Sequence, residues 1–350
     1  MTHKILFIGA GAIGSYLGGF LARAGHDVTI VDAWAEQVEA IRQYGIAVTG
    51  PHEPFTAHPA AIHLHEARRL PRDFAIAFVA MKVYDTAWAT QLARRHLAPD
   101  GYLVAAQNCW PDPIVAAVAG PDRAVGLVMS RIGVAIWKPG QVERGMEKGA
   151  GRGHDVFRVG EHDGRITPRA EELAEMLSVV DGAHATDNLW GERWAKLCAT
   201  AMSNPVQALS GLGSHDVACT PDGRRLTIHL AGESARVGLA LGYRVPPIGG
   251  QPAERWADAG SPDTYAALDS LLTPAAAGSR NWLAAMAQDV AKGRPTEIDE
   301  MNGHVVARAR DCGVPTPVSA AVVELMHQID NGTRKPAPGN IADVLRNAGC

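Results

Sequence analysis

Cysteine is scarce in this chain, with five in 350 residues, at Cys109, Cys198, Cys219, Cys312 and Cys350. The number is odd and no two stand in C-x-x-C spacing. That argues against a disulfide framework or a structural zinc site and for reduced thiols in cytoplasm. Long apolar runs are missing too. None approaches the roughly 20 residues that a membrane helix needs, and the N-terminus enters a strand-like run without a signal peptide. There is no excess of basic residues. The formal net charge is −4, so no positive field points to nucleic acid. No repeat of fixed period is visible. His63 and His65 come nearest to a metal pair, but alternate residues of an extended segment face opposite ways, so they read as surface histidines without a metal. What is present is ordinary for a globular chain: 47% hydrophobic and 20% charged residues, at a length that suggests two domains.

The stretch from Lys4 to Asp32 carries the clearest signal. Ile5 to Ile8 form an apolar run suited to a strand buried on both faces. Gly9-Ala10-Gly11-Ala12-Ile13-Gly14 follows, in the pattern G-x-G-x-x-G. Leu17, Phe20 and Leu21 recur at helical spacing, Gly25 ends the helix, and Val28 to Val31 form a second strand closed by Asp32. Strand, glycine turn, helix and strand are the context that makes this motif specific for a dinucleotide. Gly9 permits the tight turn, Gly11 lets the backbone approach a pyrophosphate, and Gly14 lets the helix sit close to the strand. Asp32 lies 18 residues past Gly14, where a carboxylate accepts ribose hydroxyls of NAD and repels a 2′-phosphate. The bland alternative is an exposed turn aspartate.

Further along, Ala35 to Tyr44 reads as a helix, and Ile46 to Leu70 as a region rich in Pro and His. Phe74 to Ala80 and Tyr102 to Ala106 read as strands, with Asp85 to His96 as a helix between them. Such alternation implies a parallel sheet with right-handed crossovers, whose ligands lie beyond the carboxyl ends of the strands. Lys82 and Asn108 stand at two such ends. Val125 to Val128, Gly133 to Trp137 and Val156 to Val159 suggest more strands, Glu143 to Asp155 a loop, and Leu173 to Val180 a helix. Asp181-Gly182 suggests a break, so the nucleotide-binding domain is placed at 1–184 and a helical domain at 185–350. Leu189 to Leu209, Arg224 to Leu241, Ser279 to Lys292, Thr296 to Asp311 and Val318 to Ile329 are its helices, with Pro274 among the breaks. Asn331 to Gly339 reads as a flexible tail.

On the first of these helices, Lys196, Thr200 and Asn204 recur every four residues and form a polar stripe. Pro205 is expected to kink or end the helix just after Asn204. A helical lysine is ordinarily solvated, and its neighbours alone say little more. Thr296-Glu297-Ile298-Asp299 reads by itself as a helix start with acids in the first turn.

GAGAIG, the strand-end Lys82, Gln107-Asn108, Trp194-Ala195-Lys196-Leu197 with Asn204-Pro205, and Gly293 to Gly303 (GRPTEIDEMNG) occur in this order. In this the chain resembles the ketopantoate reductases (2-dehydropantoate 2-reductases), over nearly its whole length. The lysine helix and T-E-I-D-x-x-N-G are specific to that family; the glycine motif is not. The resemblance implies an α/β Rossmann domain with a parallel sheet, an all-helical C-terminal domain, and NAD(P)H-dependent reduction of a branched 2-keto acid in the cleft between them. By the family pattern Lys196 is the general acid and Glu297 binds near it and the cofactor ribose. Asn204 and Thr200 bind substrate, and Lys82 and Asn108 line the cofactor and substrate cleft. Gly9, Gly11, Ala12, Ile13, Gly14 and Asp32 bind the nucleotide.

Three places differ from the pattern. The family has a second asparagine where Thr200 stands, and a serine within the stretch matching Leu283-Ala284-Ala285-Met286, which has none. NADPH-dependent members carry an arginine after the second strand; Asp32-Ala33-Trp34 stands here, which favours NADH although NADPH is the family default. An NAD-dependent D-2-hydroxy-acid dehydrogenase on the same scaffold, or a regulator that binds the dinucleotide without chemistry, are the alternatives. The 3-hydroxy-acid dehydrogenases are disfavoured by GRPTEIDEMNG. The reading has no nucleic-acid or membrane partner, and the oligomeric state, a homodimer included, is open.

Overall fold

The computed structural model describes residues 2–273 and 281–350. The chain divides into two compact units, Met1–Leu189 and Trp190–Cys350.

The first unit is a sheet protein. Its strands are β1 (Lys4–Ile8), β2 (Asp27–Asp32), β3 (Ile46–Thr49), β4 (Phe55–Ala57), β5 (Ala60–His63), β6 (Phe74–Val79), β7 (Leu97–Ala105), β8 (Ala124–Met129), β9 (Val134–Lys138), β10 (Gln141–Arg144), β11 (Phe157–Glu161) and β12 (Ala183–Ala185). Its helices are α1 (Ala12–Arg23), α2 (Ala35–Tyr44), α3 (Thr86–Arg94), α4 (Asp112–Ala119) and α5 (Pro168–Leu177). Eight strands form the main sheet in the order β12-β11-β8-β7-β6-β1-β2-β5. The order reverses at β1, which pairs in parallel with both β2 and β6. Ile5 and Phe7 pack into one layer beneath α1 and α2, while Leu6 and Ile8 pack into the other. Burial on both faces explains why these strands read as unbroken apolar runs.

The expected sheet is parallel except at one place: β11 runs antiparallel to β8, with Val159 opposite Leu127. Of a second sheet, β4-β3-β10-β9, the sequence reading anticipated only β9, as the strand expected over Gly133 to Trp137. The strands it missed are three or four residues long, too short to show a period: β3 and β4 lie in the segment rich in Pro and His, and β10 runs into the stretch from Glu143 that reads as a loop. Asp181, read as part of a break, is instead a buried staple. It pairs with Arg144 at 2.6 Å, both side chains wholly buried, and accepts the backbone N–H groups of Gly149 and Ala150 at 3.0 and 2.7 Å. The loop that begins beyond Arg144 is tied down by that pair.

The second unit is helical. It comprises α6 (Leu189–Ala201), which starts at the last residue of the first unit, then α7 (Asn204–Ser210), α8 (Ser214–Cys219), α9 (Pro221–Ala240) and α10 (Ala253–Ala257). α11 (Pro262–Leu272), α12 (Ala285–Ala291), α13 (His304–Cys312), α14 (Pro317–Asp330) and α15 (Gly339–Asn347) follow. α9 is the central post. Glu233 on it accepts the N–H groups of Val318 and Ser319 at 2.8 and 2.7 Å, capping α14 from another helix. Three expectations change here. The helix expected over Leu189 to Leu209 does break near Pro205, but earlier than the expected point just after Asn204: it stops at Ala201 and restarts at Asn204, because Pro205 has no N–H and restricts the residue before it. The helix expected from Ser279 begins only at Ala285; Pro274 and Ser279 lie outside the described residues. The expected flexible tail is anchored instead: the Asn340 amide donates to the Leu209 carbonyl oxygen at 2.7 Å, and Arg334 holds Asn340 and Asp343.

Candidate active site

In the first unit the glycine turn sits where the strand order reverses, the place where ligands bind in open α/β sheets. Gly9 has φ +113°, and a Cβ built on it would stand 2.7 Å from the Ala80 carbonyl oxygen of the segment after β6. A Cβ on Gly14 would stand 1.9 Å from the Gly9 carbonyl oxygen, so α1 can close on β1 only with glycine there. A Cβ on Gly11 meets nothing nearer than 4.0 Å, leaving open space above the turn just before Ala12 and Ile13 begin α1. A turn so cramped below and open above fits a pyrophosphate lying against the helix N-terminus.

Asp32 ends β2 and holds this turn. One carboxylate oxygen accepts the Trp34 N–H at 2.7 Å and the other accepts the Ala10 N–H. Asp32 therefore carries a structural role, and the ribose-reading role expected of it would be a second one. Each oxygen keeps a second acceptor site, so the two roles are compatible. Beneath it lies a buried network that the sequence reading missed. The Gln37 amide donates to the Ala10 carbonyl oxygen at 3.1 Å and to Ser15 Oγ at 3.0 Å, and accepts the Gly140 N–H at 2.8 Å. Nothing in the sequence marks Gln37, since a glutamine in an amphipathic helix reads as a surface residue.

Lys82 and Asn108, both half-buried, lie just past the carboxyl ends of adjacent β6 and β7, as expected. Gln107 joins the two ends: its amide donates to the Met81 carbonyl oxygen at 2.9 Å and to Thr86 Oγ1 at 2.8 Å. The next residue but one, Cys109, has φ +59°, and Arg131 beyond β8 has φ +56°. These are the only non-glycine residues with positive φ among those described, and both stand beyond strand ends on this edge. Backbone in that region costs about 1–3 kcal/mol and gathers at functional sites.

In the second unit, α6 is fixed by Trp194, whose Nε1 donates to the Ser234 carbonyl oxygen of α9 at 2.9 Å. Lys196 is half-buried on that helix. Cys198, two residues on, is wholly buried; burial pushes its thiol well up and leaves it inert. Thr200 Oγ1 donates back to the Lys196 and Leu197 carbonyl oxygens, both at 3.0 Å, so its hydroxyl hydrogen is turned into its own helix. Asn204 is buried and largely committed: its Oδ1 accepts the Met286 N–H at 3.3 Å and its Nδ2 donates to the Thr200 carbonyl oxygen at 3.2 Å. One N–H of its amide is not used in these bonds.

Glu297 is 6% exposed, not the surface acid of a helix start. Thr296 does not cap: its hydroxyl donates to Asp330 Oδ2 at 2.6 Å, and the turn that follows has Ile298 at its N-cap position with no side-chain cap bond. A π-helical turn, Asp299–Gly303, follows, a rare geometry frequent at functional sites. Burial, with Glu297 and Asp299 nearby, pushes Glu300 above the usual carboxylate range. Among the described residues, no group of three His, Cys, Asp or Glu side chains is placed to hold a metal ion, and no helix is long and apolar enough to cross a membrane.

A dinucleotide-type sheet in one unit and a lysine-bearing helical unit beside it in the chain define a class, the NAD(P)-dependent oxidoreductases. The family model described as ketopantoate reductase PanE/ApbA matches residues 5–153, and its C-terminal counterpart matches residues 188–330. The chain belongs to the ketopantoate reductase family. A 2-dehydropantoate 2-reductase of Archaeoglobus fulgidus is 26% identical over 335 residues, covering 95% of this chain and 99% of that one. The crystal structure of 2-dehydropantoate 2-reductase from Methylococcus capsulatus is 27% identical, with TM-score 0.71, over 95% of this chain and 98% of that one. A D-mandelate dehydrogenase solved with NADH and anilino(oxo)acetate shares the fold at TM-score 0.74 and 21% identity, over 94% of this chain and 99% of that one.

Proposed function

We propose that this protein reduces the 2-keto group of ketopantoate or a similar branched 2-keto acid, with NADH as the preferred reductant and Lys196 as general acid. The observation that carries the reading is Glu297. A carboxylate at 6% exposure needs a cation or donors around it, and the family pattern puts Lys196 there.

A reduced nicotinamide, when bound, supplies the hydride that adds to the keto carbon. Gly9, Gly11, Ala12, Ile13 and Gly14 would hold its pyrophosphate, Asp32 its adenosine ribose, and Lys82, Asn108 and Glu297 its nicotinamide side. Negative charge grows on the keto oxygen as the carbon is reduced. The Lys196 ammonium donates a hydrogen bond to that oxygen, stabilises the charge and passes it a proton, leaving a neutral amine that recharges from solvent. Glu297 favours the charged lysine and orients it, against the effect of burial. Asn204 offers its remaining N–H to the substrate carboxylate or hydroxyl. Thr200, with its hydrogen turned into the helix, offers acceptor lone pairs only.

Thr200 also supports the second reading, a D-2-hydroxy-acid dehydrogenase of different substrate. Ketopantoate has a hydroxyl and a carboxylate to bind, and this chain lacks both the second asparagine and the serine that the family uses. Ala284 instead donates its backbone N–H to Gln207 Oε1 at 2.8 Å.

The test is initial-rate reduction of ketopantoate and of a panel of 2-keto acids with NADH and with NADPH. Fast turnover of ketopantoate upholds the first reading. Preference for a 2-keto acid without the ketopantoate hydroxyl upholds the second. Tight nucleotide binding with no turnover on any 2-keto acid refutes both and leaves a dinucleotide-binding regulator.

A further inference from the structure

Pro205 leaves a gap in the backbone hydrogen bonds of the lysine helix. By the α-helical rule the N–H of residue 205 would bond to the Ala201 carbonyl oxygen, and proline has no N–H to give. Ala201 is wholly buried, so bulk water does not answer for it. The donor comes from elsewhere in the same unit. Asn302 Nδ2 donates to the Ala201 carbonyl oxygen at 3.1 Å, across 101 residues of chain. One residue earlier a second asparagine does the same: Asn204 Nδ2 donates to the Thr200 carbonyl oxygen at 3.2 Å, joined there by the Ser203 N–H at 3.2 Å. Two side-chain amides thus close the break that the proline opens.

Asn302 is wholly buried, and its Oδ1 has no partner among the described residues. Only the donor half of the amide is used. The bond to Ala201 is the one described interaction that offsets the cost of burying it. Asn302 stands in the π-helical turn Asp299–Gly303, five residues past Glu297. Backbone bonds in such a turn span five residues where an α-helix spans four, so its side chains face differently from what α-helical spacing would give. One short segment therefore carries both Glu297, the acid expected beside Lys196, and the amide that ties this segment to Ala201, the last residue of the helix bearing Lys196.

We propose that Asn302 is a positioning residue of the reductase: its amide replaces the N–H that Pro205 lacks, and so fixes the Glu297 segment against the end of α6 that presents Lys196 and Asn204. This rests on the reductase reading above. Asn302 acts through Lys196 and Glu297, not on the substrate. A proton donor and the carboxylate that orients it must stand correctly at the keto oxygen, and a shift of about 1 Å caused far from the chemistry can cost about a hundredfold in rate.

The test is a double-mutant cycle on the full chain: wild type, Asn302→Leu, Pro205→Ala and the double variant. Each is read by urea unfolding, nucleotide titration and steady-state reduction of the best 2-keto acid of the panel. Leucine keeps roughly the volume and removes both the donor and the unanswered oxygen. Pro205→Ala returns a backbone N–H to the Ala201 carbonyl oxygen. Asn302→Leu is expected to lower kcat about ten- to hundredfold, with KM and nucleotide affinity changed by less than about threefold. In the Pro205→Ala background the same replacement should cost less than about threefold, because the helix then supplies its own donor. An unchanged kcat in Asn302→Leu overturns the proposal. A lower urea midpoint with normal kcat in the folded enzyme also overturns it, and leaves a structural brace only. So does a double variant no better than Asn302→Leu, folded or not, since the amide is then no substitute for the missing N–H. Wild type that turns over no 2-keto acid refutes the reductase reading and the positioning role with it, whereas wild-type turnover without coupling refutes the positioning role alone.

Discussion

Trp194 lies against Gly238: a Cβ built on Gly238 would stand 2.1 Å from Trp194 Nε1. The indole is wholly buried and bonded to the Ser234 carbonyl oxygen, so one glycine on α9 sets how α6 seats, and with it the lysine two residues further on. Gly238→Ala must displace the indole or α9. We expect a loss of about 2–4 kcal/mol of stability, within the range for overpacking a core with backbone displacement. Urea unfolding measures it; a loss below about 1 kcal/mol would mean the indole relaxes freely.

Lys196→Ala should lower turnover by about two to four orders of magnitude, the range for a general acid. Nucleotide affinity should change far less. Near-normal turnover in this variant removes Lys196 from the mechanism.

Thr200→Asn restores an amide that reaches beyond the helix backbone, where the threonine hydroxyl now bonds back to the Lys196 and Leu197 carbonyls. If the enzyme's substrate is ketopantoate, kcat/KM should rise by about tenfold, one good hydrogen bond to a charged or polar group. If the true substrate lacks the extra hydroxyl, the ratio of kcat/KM between the two acids should move toward ketopantoate.

Glu233 is 2% exposed and supplies acceptors to Val318 N, Ser319 N and Ser319 Oγ, the last at 2.6 Å. Removing it strands two buried backbone donors and the Ser319 hydroxyl at the start of α14. Burial raises Glu233 above the usual carboxylate range, so the loss is set by the donors it leaves behind: Glu233→Ala should cost about 2–3 kcal/mol, since a buried donor left unsatisfied costs about 1–3 kcal/mol. Chemical denaturation that shows less than about 1 kcal/mol would show that water takes over the cap.

His304 sets a pH window. Burial, aided by Arg308, lowers it from its ordinary 6.5 to about 4. Between those values the unfolded chain binds a proton that the folded chain refuses. Stability therefore falls as pH drops through 6.5 toward 4, and this contribution does not grow below that. His304→Gln should flatten that part of the stability profile. An identical pH dependence in the variant would assign it to other groups.

The glycine turn of the candidate site was legible in the sequence because its parts are neighbours along the chain. A strand, three glycines at fixed spacing, a helix and a terminal acid lie within Lys4 to Asp32, and short-range sterics dictate the turn. Lys82 and Asn108 were legible for a related reason, since parallel strands point their carboxyl ends the same way. The lysine helix was visible as a helix. Its break was misplaced by a few residues, because Pro205 acts backward through the residue before it, and Asn204 opens α7 instead of closing α6.

What the sequence by itself determined is what local rules govern: strands buried on both faces, the cradle at Gly9 and Gly14, and the order of a sheet unit followed by a helical one. The tertiary structure alone decided the rest. That the Asn302 amide bonds to the Ala201 carbonyl, that Gln37 braces the turn from below, that Glu297 is buried while Thr296 bonds to Asp330, and that Asp181 is a staple and no linker all depend on pairing between distant segments. Register, burial and the choice among hydrogen-bond partners are set by which surfaces meet when the chain closes. Residue type and spacing leave those meetings open, because a polar side chain reads the same in the sequence whether water or a partner satisfies it.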